Sequence, residues 1–183
     1  LLYSRKQLDA AQKSGDKNLQ FNAWQKRGAV GSRLGNIEVL KTANDSMLHY
    51  ADLLQDLDKQ ALAYSNIGMY YATALGNFKE AKSYFEKALA LNRQSGDKTF
   101  LINSLNNLGT ACNLLGENER AFKLMEEAYQ LKDQTISEAG QEKILNLQTR
   151  YQTEKKDARI QLLDAESKVQ QRNILVLIIG LLA

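Results

Sequence analysis

Leu34-Gly35-Asn36, Leu75-Gly76-Asn77 and Leu115-Gly116-Glu117 are one tripeptide met three times, 41 and then 40 residues apart. A period of this size marks an array of supersecondary units, each of which buries its apolar face only against its neighbours. A second marker keeps step. Gly28, Gly68 and Gly109 recur 40 and 41 residues apart, the last two inside Asn66-Ile67-Gly68 and Asn107-Leu108-Gly109. A third reaches back to the start, because Ser14-Gly15-Asp16-Lys17 returns 81 residues later as Ser95-Gly96-Asp97-Lys98. At that offset Tyr3 matches Tyr84, Lys6 matches Lys87 and Leu8 matches Leu89, so residues 1 to 14 read as the second helix of a repeat whose first helix lies upstream.

Composition assigns the units to helix. Proline is absent from the 183 residues, and Ala, Leu, Lys, Gln and Glu, which lose little rotamer freedom in a helix, are abundant. In each period an apolar helix ends at a glycine, a short link follows, and a second amphipathic helix closes the unit. The spacing predicts a first helix over roughly 58 to 74 and a second over roughly 77 to 94 in the best-formed copy. Tyr64, Ile67, Tyr71, Ala81, Phe85, Ala88 and Leu89 fall at helical intervals and form the seam, with small Gly68 and Ala81 allowing close approach.

These seam residues resemble the tetratricopeptide repeat, whose aromatic, Leu-Gly, Tyr, Ala, Phe and Ala positions they match together with Gly68. The resemblance covers residues 1 to 133, as a half repeat (1–16) and three repeats at about 17–56, 57–97 and 98–133. The third copy keeps the spacing with Leu105, Leu108, Gly109, Cys112, Gly116, Ala121, Met125 and Ala128. The first departs most: Trp24, Gly28 and Gly35 fit, but Gly31, Leu40 and Asn44 stand where Tyr, Ala and an aromatic residue are expected. The second copy carries one extra residue between Gly68 and Gly76. The resemblance implies an all-α, right-handed superhelix of helix pairs with a concave binding face.

From about Glu138 the pattern becomes that of one long polar helix. Ile144, Leu147, Tyr151, Ala158, Leu162, Ala165 and Val169 make a coiled-coil seam with a stutter near Ala158. This stripe is expected either to pair two copies of the chain through residues 140–172 or, over 135 to 150, to cap the last repeat. Residues 134–173 thus form a linker helix. Beyond Arg172, Ile174 to Ala183 is apolar apart from one glycine and reads as the start of a membrane helix, which needs roughly 20 residues in all. Repeats, a charged helix and a membrane span in that order resemble envelope sensors of bacterial two-component signalling. The resemblance implies a periplasmic repeat region, an inner-membrane anchor and a downstream histidine kinase or helix-turn-helix output. The competing expectation is a soluble cytoplasmic adaptor of the same repeat class.

The chemistry is that of binding. Net charge is +3 with both signs interspersed, far from the basic face that nucleic acid requires. His49 is the only histidine and Cys112 the only cysteine, so no disulfide, zinc site or nucleophile–base pair is built from them. No phosphate loop or cofactor motif occurs, and no cofactor or metal is expected. First-helix residues outside the seam line the concave face: Asn22, Gln25, Lys26, Ser32 and Arg33, then Leu62, Ser65, Asn66, Met69 and Thr73, then Asn103, Asn106, Asn107, Thr110 and Asn113. Of these, Lys26, Arg33, Asn66, Met69, Asn103, Asn106, Asn107 and Asn113 are the candidate ligand contacts. Carboxamides offer both donor and acceptor to a peptide backbone, and Lys26 with Arg33 offers charge to a carboxylate. Asn66 and Asn107 have a second reading, as bonds to the neighbouring first helix.

Overall fold

A computed structural model describes the backbone from residue 2 to residue 182, with the side chains of residues 3, 158, 165, 166 and 169–182 outside the description. Every described element is helical: α1 (Leu2–Ser14), α2 (Lys17–Arg33), α3 (Ile37–Leu54), α4 (Leu57–Met69), a π-turn (Tyr70–Ala74), α5 (Phe78–Ser95), α6 (Lys98–Leu114) and α7 (Asn118–Leu182). The chain divides into two compact units, Leu1–Gln134 and Thr135–Ala183.

The helix boundaries in the first unit follow a rule that repeats twice per period. Asp16, Asn36, Asp56, Asn77 and Asp97 each cap the helix that follows, their side chains accepting from backbone N–H groups of its first turn. Such oxygens satisfy donors that the helix leaves without partners. Immediately before each cap the chain turns left-handed, at Gly15, Gly35, Gly76 and Gly96, and at Gly116 before α7. At the remaining position stands Gln55 (φ 51°), the one non-glycine described residue at positive φ. The sixth cap position holds Glu117, whose carboxylate is engaged instead by Lys82 of α5.

Consecutive helices pack on one another, and the core is distributed along the array. Leu8, Ala11 and Ala23 are joined by Trp24; Phe21, Met47, Ala51 and Ala63 form a second cluster. The largest runs through Ala81, Phe85, Leu89, Leu105, Leu108, Ala111, Cys112, Ala121, Leu124 and Ala128. Polar ties link the helices as well. Asn92 at 3% exposure donates to the Phe100 carbonyl (3.2 Å) and to Ser104 Oγ (2.7 Å).

The first helix of the second repeat is not α-helical to its end. Gly28 and Gly35 are seven residues apart, as are Gly109 and Gly116, but Gly68 and Gly76 are eight apart. The turns after α2 and α6 close with Asn36 N–H to the Gly31 carbonyl and Glu117 N–H to the Cys112 carbonyl, both at 2.9 Å. After the π-turn the closing bond spans one residue more, from Asn77 N–H to the Tyr71 carbonyl at 2.8 Å. The extra residue is absorbed in one widened turn, the usual form of π-helix in proteins.

In the second unit Ile144, Leu147, Tyr151 and Leu162 are 49–63% exposed. The seam positions Ala158, Ala165 and Val169, and the apolar run Ile174 to Ala183 assigned to a membrane helix, lie outside the described side chains. Among the described residues no helix is long and apolar enough to cross a membrane.

Candidate ligand-binding site

In the second repeat the Phe85 ring covers Gly68 so closely that a Cβ built on the glycine lies 2.5 Å from its Cε1. At the equivalent place in the first repeat stands Asn44, whose Oδ1 only reaches 4.0 Å from a Cβ built on Gly28. The partner of Tyr71 is Gly31, which lets the start of α3 press against α2: a Cβ there lies 2.9 Å from Val39 Cγ1 and 3.1 Å from Leu40 N. Two rings are thus missing from the first repeat, yet α3 keeps a tight core through Ala43, Met47 and Ala51, each at most 1% exposed.

Beside this junction lies a cavity of about 770 Å³, within the range of small-molecule and peptide pockets. Gln25, Gly28, Ala29, Gly31 and Ser32 of α2 form one wall, and Leu40, Asn44 and Met47 of α3 another, with Gly35 and Ile37 at the link. Asn66 and Met69 of α4 and Tyr70, Thr73 and Ala74 of the π-turn complete it. Asn44, 3% exposed, donates from Nδ2 to the Asn66 carbonyl (3.2 Å). Asn66 Nδ2 in turn points to Met47 Sδ at 3.7 Å, a bond to the preceding helix rather than to a neighbouring first helix. No charged residue lines the cavity.

Of the residues singled out from sequence, Asn66 and Met69 line this cavity, with Gln25, Ser32 and Thr73 of the wider concave set. Lys26 and Arg33 are exposed on α2 outside the lining, and Asn103, Asn106 and Asn113 are exposed on α6, with Asn107 half-buried. The structure therefore does not gather the asparagines of the two repeats into one cavity. Sequence reasoning did not assign Asn44, Leu40, Met47 or Tyr70 to a site. Their signal was present in the departures at Gly31, Leu40 and Asn44 and in the inserted residue, which together mark this cavity's walls.

The other titratable groups have structural surroundings. Tyr71 and Tyr84 stack at 5.3 Å with Tyr64 beside Tyr84, and Lys87 lies 4.9 Å above the Tyr84 ring. Burial, with Tyr71 next to it, pushes the Tyr84 phenol up. Lys82 holds the Glu117 carboxyl below the usual carboxylate range through a 2.5 Å bond. Arg120, raised by its bond to Glu86, joins the same network, while Arg93 pairs with Glu127 at 2.9 Å. Burial pushes the Cys112 thiol up, away from the thiolate that reaction requires. His49 is exposed with its ring edge-on to Tyr50. Among the described residues no group of three His, Cys, Asp or Glu is placed to hold a metal.

The helix pairs, their seam and the small residues at helix crossings define a class, the tetratricopeptide-repeat solenoid, and residues 59–134 match the tetratricopeptide-repeat family model. The tetratricopeptide-repeat domain of Arabidopsis FLU superimposes with a TM-score of 0.58 at 19% identity, over 65% of this chain and 99% of that domain. BtubC (BKLC) from P. vanneervenii gives a TM-score of 0.65 at 18% identity over 73% of this chain, and the chain spans about half of its length (55%). At these identities the likeness is one of fold. No curated protein matches the chain. The fold is that of a tetratricopeptide-repeat solenoid followed by a long C-terminal helix, with the family match confined to residues 59–134.

Proposed function

We propose that this chain is the non-catalytic recognition segment of a signal-transduction protein, in which the repeats bind a protein or peptide ligand. The observation that carries the reading is the cavity between α2, α3, α4 and the π-turn, about 770 Å³ in volume and lined by uncharged residues. In this reading the chain is an envelope sensor. The repeats lie in the periplasm of a bacterial cell, residues 140–172 pair two copies, and the apolar run from Ile174 anchors the protein in the inner membrane ahead of a histidine kinase or regulator. The sequence supports it with the unbroken apolar run Ile174–Ile179, and the helix supports pairing with Ile144, Leu147 and Tyr151 exposed at intervals of three and four. Ligand binding then changes the pairing of the α7 helices and biases a two-state output.

The test is fractionation of the full-length protein, with protease access to the repeats in intact cells and spheroplasts. Membrane-bound repeats that become digestible only after the outer barrier is opened support the sensor. A protein that stays in the soluble fraction overturns it in favour of a cytoplasmic adaptor.

A further inference from the structure

The cavity has two features that an ordinary pair of repeats would lack, and they have independent origins. Asn44 replaces an aromatic ring at the second-helix position occupied by Phe85 one repeat later, leaving an almost fully buried carboxamide in the wall. The inserted residue, separately, turns the end of the next first helix so that Tyr70, Thr73 and Ala74 all face the same space. Its wall combines apolar surface from Leu40, Met47, Met69 and Tyr70 with uncharged polar groups from Gln25, Ser32, Asn44 and Asn66.

Resting on the protein-binding reading above, we propose that this cavity receives an uncharged, extended peptide segment that inserts one apolar side chain beside Met47, Met69 and Tyr70. Charge decides the first part. An ionised group placed against a wall with no charged partner loses its hydration without compensation, and the nearby cations Lys26 and Arg33 lie outside the lining. Hydrogen bonding decides the second. A helix satisfies its own backbone groups, whereas an extended segment presents free N–H and C=O groups that the carboxamides of Gln25 and Asn66 match with both donor and acceptor. The inserted residue is aromatic or branched aliphatic, because flexible methionine thioethers adapt to either shape.

The experiment uses the full chain and terminally capped, dye-labelled peptides that are identical except for a central Phe, Leu, Asp or Lys, read by fluorescence anisotropy. The Phe and Leu peptides are expected to bind at least about tenfold more tightly than the Asp and Lys peptides. Ser32→Phe, which fills the mouth from an exposed position, and deletion of Thr73, which restores the seven-residue spacing, are each expected to weaken that binding at least about tenfold. Their helical circular dichroism should be retained, and Lys79→Ala, at an exposed position of α5 outside the lining, should bind as the wild type does. A preference for the charged peptides, or unchanged binding by both cavity variants, overturns the proposal. Charged-peptide binding that Asn106→Ala abolishes overturns this site while leaving protein recognition by the repeats intact. Absence of binding by all four peptides overturns the proposal together with the reading on which it rests.

Discussion

Gly68→Ala and Gly109→Ala add the same methyl group at equivalent positions of two repeats and are expected to change stability in opposite directions. At Gly68 the new Cβ falls 2.5 Å and 2.7 Å from Cε1 and Cδ1 of Phe85, well inside the roughly 3.5–4.0 Å at which carbon atoms rest. The ring is 3% exposed and belongs to the largest core cluster, so it has no solvent to swing into, and the two helices must separate. Overpacking of this kind costs about 1–3 kcal/mol. Replacing glycine by alanine inside a helix returns about 1 kcal/mol, so an overlap this deep, at the upper end of that range, about 2–3 kcal/mol, leaves a net loss of about 1–2 kcal/mol. At Gly109 the nearest atom is Met125 Cγ at 3.1 Å, on a side chain that is 40% exposed. An unbranched thioether moves aside readily, and helix propensity then wins, with a gain of about 0.5–1 kcal/mol. Urea unfolding of the full chain, followed by circular dichroism and checked for constant m-values, reads both changes. A Gly68→Ala variant as stable as the wild type, or a Gly109→Ala variant as damaged as Gly68→Ala, would refute the packing argument. Phe85→Leu in the Gly68→Ala background should recover part of the loss, since residues in contact couple.

Gln55→Gly should raise the thermal midpoint, because a non-glycine residue in the left-handed region costs about 1–2 kcal/mol and Gln55 sits at φ 51°; a lowered midpoint would show that its side chain matters more than its backbone. Glu117→Gln should flatten the acid limb of the stability profile. The folded carboxyl is held down chiefly by the bond from Lys82, so its stabilisation is complete above about pH 4.3 and is lost as pH falls through the lower folded value; identical profiles between about pH 5 and pH 3 would contradict this. Asn92→Ala should cost about 1–3 kcal/mol, since the Phe100 carbonyl and Ser104 hydroxyl lose a buried donor; chemical denaturation checks it, and a neutral effect would mean that water replaces the amide.

The helical class, the helix pairs and most of the core were legible because they depend on periodicity, which one sequence displays in full. Tyr64, Ile67, Ala81, Phe85 and Ala88 announce a seam through their spacing alone. The extra residue between Gly68 and Gly76 was equally visible, but its resolution was not. Spacing reports how many residues lie between two markers and leaves open whether a loop, a kink or a widened turn takes up the surplus. The predicted first helix, roughly 58 to 74, therefore has the right extent and the wrong final turn. The cap ladder was not read from the sequence, and its regularity is broken at Asp56, which follows Gln55 where glycine precedes the other caps. The cavity was least legible. Its walls consist of residues that fail the repeat pattern, and absent rings leave a space only when the backbone around them holds its position, as α3 does through Ala43 and Met47.

The widened turn at Tyr70–Ala74 also bears on how such an array can vary. Each residue added to an ordinary α-helix rotates everything after it by about 100° and advances it by about 1.5 Å, so one insertion shifts the reading frame of the next interface. Here the shift is cancelled before Asn77, and α5 starts with its seam facing the core, as Ala81 and Phe85 show. An insertion at the end of a first helix is a local edit: it rewrites one wall of the groove and leaves the downstream interfaces in frame. Arrays of this kind can alter what they bind one residue at a time, without renegotiating the packing of their neighbours.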